Sequence, residues 1–91
     1  MTKQFKERVN ELIKDSNAEE RINIAIKKAI KRDPTIDKEK AKWTLKLAWW
    51  EADDHLNARC RSDATVYYDE YEAYVDWYNK KVKLYRRKRL V

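Results

Sequence analysis

The chain contains no glycine and a single proline, Pro34, among its 91 residues. Glycine is the residue that most readily adopts the positive φ angles of two-residue hairpin turns and of loops that cradle phosphate groups. Without it, β-hairpins and α/β units are hard to build, and the glycine-rich motifs of Rossmann and P-loop nucleotide sites are excluded. The sequence therefore predicts an all-α protein.

Three amphipathic helices are predicted in the first two thirds of the chain. They cover residues 3–15, 17–32 and about 37–60, each with an apolar stripe at helical spacing. Ser16 and Glu19 fit a capping box at the start of the second helix. The third helix carries two adjacent apolar rows rich in Trp and Ala, so we expect it to be the central one, approached closely by another helix.

The last 28 residues are predicted to form a fourth helix that packs along the third. Its apolar and aromatic residues follow one another at alternating steps of four and three, which is the spacing of a helical stripe. They are Ala64, Tyr68, Tyr71, Val75, Tyr78, Val82 and Tyr85. The predicted fold is a small four-helix assembly, with a long antiparallel helical hairpin (helices three and four) and two shorter N-terminal helices. Residues 1–91 would form a single helical domain with a basic C-terminal helix end at 80–91.

The composition indicates a folded protein with a very polar exterior. Charged residues make up 42% and hydrophobic residues 43%, and the 12% of aromatic residues includes four Trp and six Tyr. Large aromatic side chains are scarce in disordered chains, because they bury enough area to offset the entropy of ordering. The single cysteine, Cys60, cannot form an internal disulfide, and no apolar run approaches about 18 residues. We therefore expect a cytoplasmic protein that makes no membrane contact.

The net charge of +6 is segregated along the chain. Residues 27–46 hold eight basic residues against three acidic ones, whereas residues 51–76 hold eight acidic residues against two basic ones. Between residues 80 and 89 there are seven cations and no acid. Segregation of this kind indicates recognition by charge, because clustered Lys and Arg side chains neutralise phosphates and release their counterions.

The basic clusters predict a nucleic-acid-binding surface. If the third and fourth helices are antiparallel, the start of one lies beside the end of the other, and their cations form a composite patch. RNA or single-stranded nucleic acid is the expected ligand, because Arg planes and Tyr rings stack on unpaired bases. The acidic start of the second helix, Glu19-Glu20, would repel duplex phosphates. The predicted contact residues are Lys38, Lys40, Lys42, Lys46, Lys80, Lys81, Lys83, Tyr85, Arg86, Arg87, Lys88 and Arg89.

Two other functions remain open at this point. The first is a protein-interaction module, a small inhibitor or adaptor of the kind that phages and mobile elements encode, which docks on an acidic partner surface. The second is a homo-oligomer in which the acidic belt, residues 51–76, docks on the basic segment, residues 27–46. Exposed ion pairs contribute only about 0–1 kcal/mol each, so such docking would gain orientation and on-rate more than affinity.

Catalysis, cofactor binding and metal binding are not predicted. Cys60 and His55 lie five residues apart on one predicted helix, and a separation of about 140° around the axis keeps them from facing each other. Glu51, Asp53 and Asp54 lie beside His55, but a stable metal site draws three or four ligands from more than one segment. We interpret this group as a solvated acidic face, and we expect a protein that is not an enzyme.

Overall fold

The computed structural model describes residues 2–87, in which three helices are followed by a three-stranded antiparallel sheet. The helices are α1 (Lys3–Asp15), α2 (Glu19–Arg32) and α3 (Lys38–Arg59), and the strands are β1 (Asp63–Tyr68), β2 (Tyr71–Asp76) and β3 (Lys81–Arg86). The three predicted N-terminal helices are confirmed. The all-α, four-helix assembly with its long helical hairpin is wrong, because the three strands occupy the described part of the predicted fourth helix.

Side chains cap the starts of α1 and α3. The Thr2 hydroxyl accepts a hydrogen bond from a backbone N–H in the first turn of α1, and the Asp37 carboxylate accepts two in the first turn of α3. The capping box predicted for α2 is wrong, because the Ser16 hydroxyl donates backwards to the Leu12 carbonyl at 2.6 Å. As a result, α2 begins two residues later than predicted.

The helices cover one face of the sheet, which we call the inner face. Side chains alternate along each strand, and the register places Ala64 opposite Val75 and Ala73 opposite Leu84 on this face. α3 packs on β1 and β2, α2 packs beside β3, and α1 lies against α3. The buried residues of α3 are Ala41, Thr44, Leu45, Ala48, Trp49 and Ala52. The core therefore lies between α3 and the sheet, and the opposite, outer face is uncovered by any described element.

The first four residues of the stripe that predicted a fourth helix also fit a β-hairpin, whereas Tyr78 lies in the following turn and Tyr85 lies on the outer face. Residues four apart in a strand share a face, as Ala64 and Tyr68 do in β1 and Tyr71 and Val75 do in β2. The step of three from Tyr68 to Tyr71 crosses a two-residue turn, and the register pairs these two residues. Alternating steps of four and three thus describe a helical stripe and the inner face of a tight hairpin equally well.

The chain turns without glycine by placing other residues at positive φ. Asn17 (φ 55°) follows α1, Cys60 (51°) ends α3, Asp69 (53°) lies in the β1–β2 turn and Lys80 (52°) precedes β3. Asn and Asp adopt this conformation more readily than other non-glycine residues. Cys60 and Lys80 adopt it at a cost of roughly 1–2 kcal/mol each. The lack of glycine therefore penalises hairpins in this chain but does not exclude them.

A carboxylate organises the turn between β2 and β3. Asp76 is only 7% exposed. It accepts hydrogen bonds from the Asn79 side-chain amide at 2.8 Å, from the Ser62 hydroxyl at 3.0 Å and from the Tyr78 backbone N–H at 3.1 Å. These bonds, with that from the Asn79 amide foremost, hold the pKa of Asp76 below its ordinary value. The ionised side chain thus fixes a turn that most hairpins would build with glycine.

Replacing Cys60 by glycine should raise the free energy of unfolding, because glycine adopts the left-handed conformation without a β-carbon penalty. We expect a gain of about 0.5–1 kcal/mol after the greater entropy of unfolded glycine is subtracted. Urea unfolding followed by circular dichroism measures this change.

The neighbouring substitution Arg59→Gly is the matched control. Arg59 is the last helical residue of α3, so glycine there should lower the free energy of unfolding by up to about 1 kcal/mol. Equal losses from both substitutions would contradict the left-handed conformation of Cys60.

Candidate functional site

α2 and the edge strand β3 enclose a basic groove, the α2–β3 groove. Its volume is about 650 Å³, and Ala25, Val82 and Leu84 contribute its apolar lining. No acidic side chain lines it among the described residues. The cations are Lys28, Lys31 and Arg32 from α2, and Lys80, Lys81 and Lys83 from β3 and the preceding turn. Two segments about 50 residues apart in sequence thus supply one positively charged cleft.

The lysines and the arginine of this groove differ in their contacts. Within residues 2–87, none of the five exposed lysines has an ion pair or a hydrogen bond from its ammonium group. Arg32, in contrast, donates from Nη2 to the Leu84 carbonyl at 3.0 Å, and its guanidinium carbon lies 5.8 Å from the centre of the Tyr85 ring. Arg32 therefore ties α2 to β3, while the lysines are available to an external anion.

The predicted contact lysines on α3 are mostly engaged within the chain. Lys40 Nζ lies 2.9 Å from Asp69, Lys42 Nζ lies 3.0 Å from Glu19, and Lys46 donates to an asparagine side chain at 2.7 Å. The hydrogen bond to Asp69 raises the pKa of Lys40, and the hydrogen bond from Lys42 lowers that of Glu19. The Lys40–Asp69 pair joins the basic segment to the acidic belt inside one chain, while association between copies stays a prediction.

A second cavity, the α2–α3 cavity, connects these lysines to the groove. Its volume is about 480 Å³, and two isoleucines of α2 lie among its lining residues. Lys38 and Lys42 of α3 face Lys27 and Lys31 of α2 across it. Because Lys31 also borders the α2–β3 groove, the two cavities form one basic surface around α2. The helical hairpin that was expected to bring Lys38–Lys46 beside Arg86–Arg89 is absent from the described residues, and α2 lies between the α3 lysines and those of β3. A shared role of these clusters in ligand binding stays a prediction.

Several cations of this surface are absent from the predicted contact set. The charge count over residues 27–46 is the sequence feature that indicates these cations, since four of the eight lie in the last turns of α2. Cations there also complement the helix dipole, which is the ordinary reason for their position. The omitted residues are Lys27, Lys28, Lys31 and Arg32.

Arg86, a predicted contact residue, forms ion pairs with two carboxylates of the same chain. Its Nε lies 2.9 Å from Glu70 and its Nη1 lies 3.0 Å from Asp33, and Nη1 also donates to the Thr35 hydroxyl. These charge-assisted bonds raise the pKa of Arg86 and fix the end of β3 to the loop between α2 and α3. Its role in ligand binding stays a prediction.

The outer face of the sheet carries one tyrosine on each strand. Tyr67 of β1, Tyr74 of β2 and Tyr85 of β3 alternate with the inward-pointing residues, and Tyr67 and Tyr85 are 60% and 42% exposed. The Arg87 guanidinium carbon lies 5.1 Å from the centre of the Tyr67 ring. The sequence does not predict Tyr67 as a contact residue. Its exposure follows from the alternation of side chains along a strand, and a helix prediction gives no reason to expect it. The predicted contacts Lys88 and Arg89 lie outside the described residues.

A polar cluster around His55 lies near the C-terminal end of α3. His55 joins α3 to β1, with Nδ1 2.9 Å from the Asp63 carbonyl oxygen and Nε2 3.6 Å from Glu51. In the described part of the chain, no group of three or more His, Cys, Asp and Glu side chains is placed to hold a metal ion. None of the described helices is both long and apolar enough to cross a membrane.

Comparison with known proteins adds no relative. A scan against family models, a search of curated proteins and a search of solved structures each find no match to this chain. The function of this chain is therefore inferred from its basic surface and the outer face of its sheet.

The Asp33 carboxylate should make stability depend on acid pH. Hydrogen bonds from the Thr35 side chain and backbone, and then from Arg86, hold the pKa of Asp33 at about 2, below its ordinary 3.8. A lowered folded-state pKa stabilises the fold above the unfolded-state pKa, and this contribution is lost as the pH falls from about 4 towards 2. Asp33→Asn should lower the melting temperature at neutral pH and flatten its fall over that acid range.

Asp15→Asn is the control for this substitution. Asp15 is exposed and forms no hydrogen bond or ion pair with the described residues, so its substitution should leave the fall in melting temperature at acid pH unchanged. Thermal melts of both variants between about pH 2 and neutrality test the assignment. Identical profiles for Asp33→Asn and the parent chain would contradict it.

Proposed function

We propose that this chain is a small, non-enzymatic accessory protein that binds RNA or single-stranded nucleic acid along the basic surface around α2. The observation that carries the proposal is the α2–β3 groove, in which six cations and no described acid line one cleft. A polyanion entering it would release the counterions held near these lysines, which favours association. A cytoplasmic setting is part of the proposal and rests on the single cysteine of the sequence.

The position of the groove favours a single strand over a duplex. The groove borders Tyr85, which is 42% exposed on the outer face, so the bases of a strand held there could reach an aromatic surface. Unpaired bases stack on exposed aromatic rings, whereas the bases of a duplex are already stacked on one another. The first turn of α2 carries Glu19 and Glu20, which argues against this helix entering a DNA groove by its N-terminus.

An acidic protein partner is the second candidate, and the α2–α3 cavity favours it. Ile26 and Ile30 lie there among four lysines, a combination suited to an amphipathic acidic helix that buries apolar residues and pairs its carboxylates at the rim. A complex with such a partner would survive nuclease treatment. Copurified material that absorbs at 260 nm and disappears with nuclease would support nucleic acid.

Removal of two groove lysines should weaken the salt dependence of binding to a labelled single-stranded RNA. Each phosphate neutralised on a single strand contributes about −0.7 to the slope of log K against log salt. Lys28→Ser/Lys81→Ser should therefore reduce the slope by about 1.4. Fluorescence anisotropy over roughly 50–200 mM salt measures it. Point substitutions are needed, because truncation at residue 80 would remove β3.

Lys3→Ser/Lys14→Ser is the charge-matched control. Both lysines are exposed on α1, outside the basic surface, so the slope should stay close to that of the parent chain. The proposal fails if the groove variant keeps the parent slope or if the α1 variant loses as much.

A further inference from the structure

We infer that the outer face of the sheet binds bases of a single strand by stacking on Tyr67 and Tyr85, and that Glu72 between them selects bases carrying an exocyclic amino group over uracil and thymine. The inference rests on the proposed function, and it names which part of the ligand the sheet recognises. The evidence for it is the register of the three strands, the exposure of Tyr67 and Tyr85, and the negative charge of Glu72.

The three residues form one row across the sheet. Glu72 of β2 is the partner of Tyr67 in β1 and of Tyr85 in β3. Since neighbouring strands lie about 4.8 Å apart, the two tyrosines stand about 10 Å apart with the carboxylate midway. Tyr67 and Tyr85 are 60% and 42% exposed, and neither hydroxyl forms a hydrogen bond within residues 2–87. Two aromatic rings of this kind are a platform that accepts any base by its π face.

Arginines hold both rings of the platform. The Arg87 guanidinium lies 5.1 Å from the Tyr67 ring centre, and the Arg32 guanidinium lies 5.8 Å from the Tyr85 ring centre. Such cation–π contacts restrict the orientation of each ring and place positive charge beside it. Arg32 also borders the α2–β3 groove, so the platform and the phosphate-binding lysines meet along β3. A strand with its phosphates at β3 can therefore extend its bases over the outer face.

The attraction of a polyanion to basic residues does not explain why an acidic residue, Glu72, lies on the outer face. It has no ion pair or hydrogen bond from the described residues, and its negative charge would repel a phosphate placed over the sheet. The repulsion disappears if bases, and not phosphates, cover it. An ionised carboxylate only accepts hydrogen bonds. Cytosine, adenine and guanine each offer an exocyclic amino group, whereas uracil and thymine place a carbonyl oxygen where cytosine has its amino group.

Oligocytidylate and oligouridylate provide the sharpest comparison, because the two pyrimidines differ only along the edge from C4 to N3. Cytosine presents its amino donor at the outside of this edge, whereas the one N–H donor of uracil lies between two carbonyl oxygens, which repel a carboxylate. With RNA oligomers of about 10 nucleotides, we expect binding to oligocytidylate to be about tenfold tighter. Glu72→Gln should bring the two affinities within about twofold, because an amide can donate to the uracil carbonyl as well as accept. Anisotropy titrations at one fixed salt concentration give both ratios.

Matched variants distinguish base selection by Glu72 from a general effect of charge. They also distinguish stacking on Tyr67 from an effect on folding. Glu20→Gln removes one exposed acid from α2 and should leave the cytosine-to-uracil ratio unchanged. Tyr67→Leu should weaken binding to every oligomer about tenfold, and Tyr67→Phe should restore it. Tyr78→Leu changes a tyrosine that is 75% exposed in the β2–β3 turn, outside the row, and should have no effect.

The outcomes distinguish the inference from the proposed function. If the parent chain binds no oligonucleotide, both fall. If it binds with the expected salt dependence but shows no preference for cytosine, or if Tyr67→Leu or Glu72→Gln changes nothing, the outer face is not the base-reading surface and only the inference is overturned.

Discussion

Ala41, Ala48 and Ala52 of α3 are completely buried in the core, where the inner face of the sheet presents Ala64 and Ala73. Small side chains on both sides of a helix–sheet contact let the two backbones approach closely. This close packing forms one core between one layer of helices and one sheet. Among the described residues no element is left to cover the second face of the sheet, so the packing of α3 also determines that the outer face stays open.

The charged side chains divide into two groups with different roles. Arg86, Lys40 and Lys42 are paired with carboxylates and connect elements that are distant in sequence. The groove lysines have no such partner in the described structure. Pairing within the first group offsets the charge of its cations inside the chain, while repulsion among the second group is relieved when an anion binds. Repulsion between exposed lysines is small, about 0–1 kcal/mol for a pair, so the physical basis of the proposed function is mainly the release of counterions when a polyanion binds.

Much of the helical layer could be predicted from sequence, because periodicity and the caps at Thr2 and Asp37 act over a few residues. The sheet could not, for two reasons. Tight hairpins reproduce the helical spacing on their inner face, and Asp69 and Lys80 supply turns that usually need glycine. The β-branched and aromatic residues of Thr65–Tyr68 are typical of a strand, but the helical prediction rests on the spacing alone and takes no account of them.

Part of the candidate site could be predicted from the sequence even though the predicted fold was wrong. Clustered cations remain clustered whether their segment is a helix or a strand, so the basic character of Lys80, Lys81 and Lys83 was visible. Which cluster meets which depends on tertiary contacts that no local pattern encodes. The position of α2 beside β3 and the exposure of Tyr67 are consequences of the sheet, and they could not be predicted without it.

Chemical-shift mapping with a single-stranded RNA tests the central claim most directly. In ¹H–¹⁵N spectra, the account predicts shifts at backbone amides along the outer face and α2, with Tyr67, Tyr85 and Lys31 among them. The buried indole N–H of Trp49, in the core between α3 and the sheet, should not move. Shifts confined to α1 and the second half of α3, with α2 and the sheet unperturbed, would contradict the account.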